Sequence, residues 1–152
     1  MTPDQKLNAL GLALPVVPKP VANYVSYKRV GDMLYLSGQG PRRNDGSMHS
    51  GKVGKDVTVK QAYEHARLVG LGLLAAMKAA AGDLSKVEVI KLLGMVNAAP
   101  DFGEHPAVIN GCSDLFVEVL GDKGKHARSA VGMGSLPGQI TVEIEAVCRI
   151  LE

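Results

Sequence analysis

The chain has 152 residues and a formal net charge of +2, and 46% of its residues are hydrophobic while 21% are charged. These fractions lie near those of globular proteins, so they exclude a disordered, collagen-like or coiled-coil chain. The length suits one domain with a hydrophobic core, and the small net charge argues against nucleic acid as a partner.

No stretch of the sequence approaches the ~18–20 apolar residues that a membrane-spanning helix needs. The N-terminus lacks the basic and apolar regions of a secretory signal peptide. We therefore expect a cytoplasmic protein without a membrane partner. In that reducing compartment, Cys112 and Cys148 are expected to be unpaired, buried thiols.

The N-terminal segment is predicted to be a short helix followed by an extended tether. Thr2 can cap a helix that has Pro3 in its first position, and Gly11 ends it. Three prolines keep residues 14–21 extended. We interpret residues 1–20 as a helical extension of one domain that covers residues 1–152.

A hairpin follows, with strands predicted at residues 24–30 and 33–37 around a tight turn at Gly31-Asp32. The stretch from 41 to 57 is polar and contains the strong turn signal Asn44-Asp45-Gly46. It is predicted to be a long loop or a small hairpin.

Two helices are predicted, one on each side of a strand at residues 87–96. The first begins at a capping box in which Thr58 is the cap, and it ends at Gly82. Gly70 and Gly72 lower the helix propensity of this segment. We interpret them as the residues that allow the helix to pack closely on a sheet. The second helix is predicted over residues 105–120.

Two further strands are predicted at residues 129–133 and 140–151. The element order is therefore β-β-α-β-α-β-β, which predicts an α+β domain with two helices on one face of a single sheet. The other face carries apolar residues with no further layer to cover them. Self-association is the economical way to bury that face.

The sequence predicts no metal site and no cofactor. The four histidines and two cysteines show no ligand spacing typical of zinc. The Gly-x-Gly at residue 70 lies inside a helix, where it cannot form a phosphate-binding loop. Ser37 is not part of a Gly-x-Ser-x-Gly nucleophile elbow.

Arg128 is the residue that most clearly needs a partner, because an arginine entering an apolar strand is costly unless its guanidinium meets an anion. One interpretation is a ligand carboxylate held by two hydrogen bonds. The other is a structural salt bridge to Glu143 or Glu145 on a neighbouring strand. The spacing alone leaves both interpretations open.

Several segments together resemble the YjgF/RidA (Rid, L-PSP endoribonuclease-like) family. They are Tyr24-Val25, the run from Gly31 to Gln39, Ala127-Arg128-Ser129-Ala130-Val131, Leu136-Pro137 and Val142-Glu143-Ile144-Glu145-Ala146. The resemblance covers nearly the whole chain from Val21 to Leu151. It implies a chorismate-mutase-like α+β fold that assembles as a homotrimer with clefts between its subunits.

The resemblance also implies an activity, the hydrolysis of reactive 2-imino or enamino acids to 2-keto acids and ammonia. By position, Arg128 is the arginine that binds the substrate carboxylate, and Glu143 is the glutamate that positions or activates water. The other substrate-binding positions are Tyr24, Ser37, Gly38, Asn110 and Ala130. His126 stands where small residues or proline are usual in the family.

Two other functions remain open. A non-catalytic protein that binds or senses small carboxylates needs Arg128 and does not need Glu143. An endoribonuclease is the less favoured alternative: basic loop residues such as Arg42 and Lys52 could form a rim for RNA, but the sequence has no aromatic-rich RNA-binding strand motif.

Overall fold

A five-stranded sheet forms the centre of the protein in the computed structural model, which describes residues 1–19 and 23–152. In chain order the strands are β1 (Tyr27–Val30), β2 (Met33–Gln39), β3 (Val87–Asn97), β4 (Ala127–Met133) and β5 (Val142–Ile150). Their order across the sheet is β1-β2-β5-β3-β4. All neighbours are antiparallel except β3 and β4, which are parallel and are joined by a helical crossover.

Three α-helices accompany the sheet: α1 (Pro3–Ala9), α2 (Val59–Ala81) and α3 (His105–Leu120). The predicted caps are present, because Thr2 and Thr58 each form a complete capping box with the glutamine three residues later. Short 3-10 turns lie at Leu84–Lys86, Gly121–Gly124 and Pro137–Gln139. Within residues 1–19 and 23–152, no helix is long and apolar enough to cross a membrane.

The core lies between the sheet and the helices α2 and α3. Alternate residues of the central strands face it, for example Leu92 and Val96 of β3 and Ile144 of β5, all of them fully buried. The predicted α+β fold, with one sheet and two helices on one of its faces, is confirmed.

The predicted strand ends differ from the observed ones. β1 begins at Tyr27, because its pairing with β2 ends where Tyr27 pairs with Leu36. Tyr24 therefore lies outside the strand. β4 begins at Ala127, two residues earlier than predicted. The 41–57 stretch contains a small hairpin closed by a bridge between Arg42 and Met48. Residues 14–19 have no regular secondary structure, and the rest of the predicted tether, residues 20 and 21, lies outside the described residues.

Both cysteines are buried free thiols, as predicted. Burial raises the pKa of the Cys148 thiol to about 12 and raises that of Cys112 as well. Because the thiolate is the reactive form, neither side chain is suited to nucleophilic chemistry.

Glycines allow α2 and α3 to cross closely. A Cβ on Gly70 would lie 2.9 Å from the side chain of Leu115 in α3, and one on Gly111 would overlap the backbone of Tyr63 in α2. Gly72 instead faces the side chain of Gln39 in β2. The prediction that both α2 glycines pack on a sheet is therefore right for Gly72 and wrong for Gly70, which packs on a helix.

Replacing Gly111 with alanine should destabilise the protein by about 2–3 kcal/mol, because backbone cannot move aside as a flexible side chain can. The free energy of unfolding from denaturant titration measures this change. Gly103→Ala is the matched control, since a Cβ there would meet nothing within 4 Å. It should change stability by less than about 0.5 kcal/mol. Equal stabilities of the two variants would contradict the close crossing.

Among the described residues, no helix or second sheet covers the face of the sheet opposite the helices, and only the N-terminal segment and the loop after β2 border it, near Glu143. Tyr35 is 49% exposed and Val131 is 38% exposed on this open face. Leu93, Met95 and Val147 beside them are half-buried. Exposed apolar side chains on an uncovered sheet face are typical of an interaction site. The predicted self-association stays a prediction.

Two histidines stack where the 41–57 loop meets α2. The rings of His49 and His65 lie 4.0 Å apart, and Nδ1 of His65 is 2.9 Å from the hydroxyl of buried Thr141. Burial, with smaller effects of His49 and Arg43, lowers the pKa of His65 from 6.5 to about 4. The folded state therefore favours the neutral ring.

We expect acid to destabilise the protein through His65. Between pH 6.5 and about 4 the unfolded chain binds a proton that the folded chain does not, so stability falls as the pH falls. The loss should be about 1–2 kcal/mol, because solvent reaches part of the ring and weakens the effect. Melting temperatures across this range measure it. His65→Gln should flatten the profile, and identical profiles for His65→Gln and the wild type would contradict this interpretation.

Candidate functional site

Arg128 lies on β4, at the edge of the sheet, and its side chain points toward α3. Its Nη1 donates hydrogen bonds to Oδ1 of Asn110, at 2.8 Å, and to Oγ of Ser113, at 3.1 Å. Both partners are half-buried and lie one turn apart on the same face of α3. Ala130 lies two residues further along the same strand, on the same face. We call Arg128, Asn110, Ser113 and Ala130 the arginine cluster.

A separate group surrounds a cavity of about 420 Å³ on the other side of the sheet. Tyr24, Ser37, Gly38 and Glu143 line this cavity. We call it the glutamate cavity. Oγ of Ser37 donates a hydrogen bond to the carbonyl oxygen of Val25 at 2.5 Å, which ties the segment containing Tyr24 to β2.

Glu143 reaches the cavity because residue 38 is a glycine. A Cβ at Gly38 would lie only 2.8 Å from Oε2 of Glu143, so any larger residue would displace the carboxylate. Burial raises the pKa of Glu143 above its usual 4.5, and the neighbouring Glu145 raises it further. A half-buried carboxylate with a raised pKa, facing a cavity, is suited to accept a proton.

Two cationic side chains, to which the family resemblance does not point, also line the glutamate cavity. Lys19 and Arg42 line it, and neither takes part in an ion pair among the described residues. With Glu143 as the opposing charge, the lining is net positive. Its field therefore favours an anionic ligand.

The arginine cluster and the glutamate cavity lie on opposite faces of the sheet. Arg128 pairs with Leu92 of β3, which faces the helices. Glu143 pairs with Met95, and Met95 pairs with Val131, three residues beyond Arg128. Since side chains alternate along a strand, Glu143 and Arg128 cannot meet within one protomer.

The structure excludes one of the two interpretations of Arg128, and the ligand carboxylate stays a prediction. Its hydrogen-bond partners are a neutral amide and a neutral hydroxyl, and residues 1–19 and 23–152 give it no carboxylate. Glu145 lies with Glu143 on the open face. The structural salt bridge to Glu143 or Glu145 is therefore absent, and Nη2 and Nε remain without a described partner.

Sequence reasoning missed Ser113. A helical signal could have found it, because Asn110 and Ser113 are three residues apart on one helix. No comparable signal marks Lys19 or Arg42, since their positions depend on how the N-terminal segment and the loop after β2 fold over the sheet.

Comparison with known proteins decides the family. A sequence model described as "YjgF/chorismate mutase-like, putative endoribonuclease" matches residues 4–144. The chain belongs to the YjgF/RidA family. Protein TCP17 of Trypanosoma cruzi is 41% identical to this chain over 146 residues, which are 95% of the chain and 91% of TCP17.

Two more YjgF/RidA-like relatives are informative. The solved structure of Atu1372 from Agrobacterium tumefaciens, a protein of unknown function, is 46% identical and has a TM-score of 0.89; the match covers 98% of this chain and 94% of Atu1372. A 2-iminobutanoate/2-iminopropanoate deaminase of Dermatophagoides farinae is 27% identical over 140 residues, 91% of this chain and 94% of the deaminase. The fold is thus that of the YjgF/RidA family.

Proposed function

We propose that this protein hydrolyses reactive 2-imino or enamino acids to 2-keto acids and ammonia, at a cleft between the subunits of a homotrimer. The observation that carries the proposal is the pair of groups on opposite faces of the sheet. One group offers a guanidinium without an anionic partner among the described residues, and the other offers a carboxylate that faces a cavity. The similarity to a 2-iminobutanoate/2-iminopropanoate deaminase supports the reaction class.

Assembly would bring the two groups together. If β4 of one subunit packs against the open face of the next, Arg128 of the first subunit approaches the glutamate cavity of the second. The same contact would bury apolar residues such as Tyr35 and Val131, which are exposed in the single chain. A cyclic trimer then contains three equivalent sites.

The reaction requires that the substrate be oriented and that one group accept a proton from water. Arg128 holds the substrate carboxylate with two parallel hydrogen bonds, and the protonated imine carbon is already electrophilic. Glu143 takes a proton from a water molecule as its oxygen bonds to that carbon. That proton then moves from Glu143 to the nitrogen of the resulting carbinolamine. Glu143 accepts the remaining hydroxyl proton as the C–N bond breaks, ammonia leaves, and the carbon keeps the oxygen as a ketone.

The charges around the cavity support a small acid as the ligand. Lys19 and Arg42 outnumber Glu143, so the field at the cavity draws an anion in. The volume of about 420 Å³ lies within the range of small-molecule sites, roughly 300–1,000 Å³.

A coupled assay tests the proposal. An amino-acid oxidase generates the imine from its amino acid in situ, and the release of keto acid and ammonia is followed with and without the protein. We expect release to be faster than spontaneous hydrolysis for at least one small aliphatic imine. Equal rates across a panel of aliphatic, acidic and aromatic imines would contradict the proposed activity.

One observation favours a second function, the binding of carboxylates without catalysis. Asn110 and Ser113 hold Arg128 on the helix side of the sheet, independently of Glu143. Calorimetric binding of 2-ketobutyrate by a protein that shows no turnover in the coupled assay would identify this function.

A further inference from the structure

A chain of hydrogen bonds runs behind Arg128 and ends on the protein backbone. Nη1 of Arg128 is 3.1 Å from Oγ of Ser113, which is 2.9 Å from Nε2 of His126. Nδ1 of His126 is in turn 2.6 Å from the carbonyl oxygen of Gly124. Arg128, Ser113 and His126 are all half-buried, and we call this series the His126 relay.

The two groups at the ends of the relay, the Gly124 carbonyl and the Arg128 guanidinium, fix which atom donates in every hydrogen bond. A carbonyl oxygen only accepts, so Nδ1 of His126 carries the hydrogen, and Nε2 of the neutral ring is an acceptor. The Ser113 hydroxyl therefore donates to Nε2, which leaves its oxygen lone pairs to accept from Arg128, a group that only donates.

The surroundings of His126 keep the ring neutral and fixed. Burial lowers the pKa of His126, the Gly124 carbonyl opposes this, and the charge of Arg128 lowers the pKa further. On the α3 side the ring meets Ser113 and the edge of Phe116, with the two ring centroids 5.9 Å apart. On its own loop, Asp122 and Lys125 pair with each other at 3.1 Å.

The end of the relay is anchored by close packing. A Cβ on Gly124 would overlap the backbone carbonyl of Phe116, so the loop lies directly against α3. The Gly124 carbonyl and Ser113 are thereby held on one rigid body. Arg128 is the only member of the relay on a strand.

We propose that His126 is a positioning residue: acting through Ser113, it fixes the guanidinium of Arg128 so that Nη2 and Nε face the incoming carboxylate. This inference rests on the proposed function for its ligand. Asn110 accepts a second hydrogen bond from the same Nη1, so the two bonds together restrain the rotation of the guanidinium. A carboxylate then binds a preorganised fork and orders less side chain on binding.

The test compares 2-ketobutyrate affinity, measured by calorimetry at pH 7.5, in variants of the full-length protein. Ser113→Ala and His126→Phe should each weaken binding about tenfold. The first removes a hydrogen bond to the guanidinium, and the second removes the acceptor that orients the Ser113 hydroxyl. The double variant should bind no more weakly than Ser113→Ala, since both changes break one series. Ser113→Thr keeps the hydroxyl and should restore affinity.

A matched histidine serves as the control. His105 on α3 also meets an aromatic edge, that of Phe102 with centroids 5.1 Å apart, and it makes no described contact with Arg128. His105→Phe should keep wild-type affinity. Unchanged affinity in both relay variants, or an equal loss in His105→Phe, would overturn the proposal. An additive loss in the double variant would overturn it too.

A second readout needs no ligand. Nitrogen-detected NMR of the Arg128 guanidinium should show slow rotation about its Cζ–N bonds in the wild type and fast rotation in Ser113→Ala and His126→Phe. The same rotation in all three proteins would overturn the relay. The wild type could bind no 2-ketobutyrate while its guanidinium rotates slowly and that of both variants rotates fast. In that case the proposed function fails and the positioning role stands.

Discussion

Replacing Arg128 with alanine should weaken the binding of 2-ketobutyrate by at least about 100-fold, since both prongs of a charge-assisted contact are lost. The melting temperature should stay close to that of the wild type. In the described part of the chain Arg128 has only the neutral partners Asn110 and Ser113, so its removal there leaves no buried carboxylate without a counterion. Calorimetric titration and thermal melts measure the two effects separately.

Two companion variants sharpen this result. Arg128→Lys should recover only part of the affinity, because one ammonium cannot reproduce a planar two-pronged contact. Arg67→Ala removes an arginine that pairs with Glu118 at 2.9 Å on the helices, and should leave affinity unchanged. Unchanged affinity together with a much lower melting temperature in Arg128→Ala would make Arg128 a structural residue.

Replacing Glu143 with glutamine should reduce turnover by at least about 100-fold, because the amide cannot accept the proton of water. Affinity for 2-ketobutyrate should change by less than about threefold, since in the proposed site Arg128, and not Glu143, binds the carboxylate of the ligand. The pKa of Glu143 is raised above 4.5, and the base is active only when ionised. Wild-type kcat/KM should therefore fall with an acid limb that lies above pH 4.5.

Glu145→Gln is the matched control for this change. Glu145 lies two residues away on the same face of β5 but does not line the glutamate cavity. This variant should keep turnover at neutral pH. Its acid limb should move to lower pH, because the charge of Glu145 helps to raise the pKa of Glu143. Wild-type turnover in Glu143→Gln would contradict the role of Glu143.

Helix boundaries were predicted more accurately than strand boundaries for a local reason. The signals that begin α2, Thr58 and Gln61, are close in sequence and form their bonds to each other. A strand, in contrast, ends where its hydrogen-bonded pairing with the neighbouring strand ends. For β1 that point is the pairing of Tyr27 with Leu36, which the residues around Tyr24 do not encode alone.

The composition of the two site groups was predicted largely through the family resemblance, whereas their arrangement was not. Alternation along β4 and β5 is readable from the sequence, but the relative phase of the two strands depends on how each pairs with β3. That phase places Arg128 and Glu143 on opposite faces. Ser113 joined the arginine cluster through tertiary packing of α3 on β4.

The proposed sharing of sites between subunits is tested most directly by mixing Arg128→Ala and Glu143→Gln proteins in equal amounts, unfolding them and refolding them together. Each variant alone should be inactive in the coupled imine assay. If every site takes Arg128 from one subunit and Glu143 from its neighbour, about one quarter of the sites in randomly mixed trimers contain both intact residues. We therefore expect about a quarter of wild-type activity. Native mass spectrometry verifies that the oligomers are mixed, and refolded wild type serves as the active control. If the mixed oligomers are then no more active than the separate variants, the site is not shared between subunits.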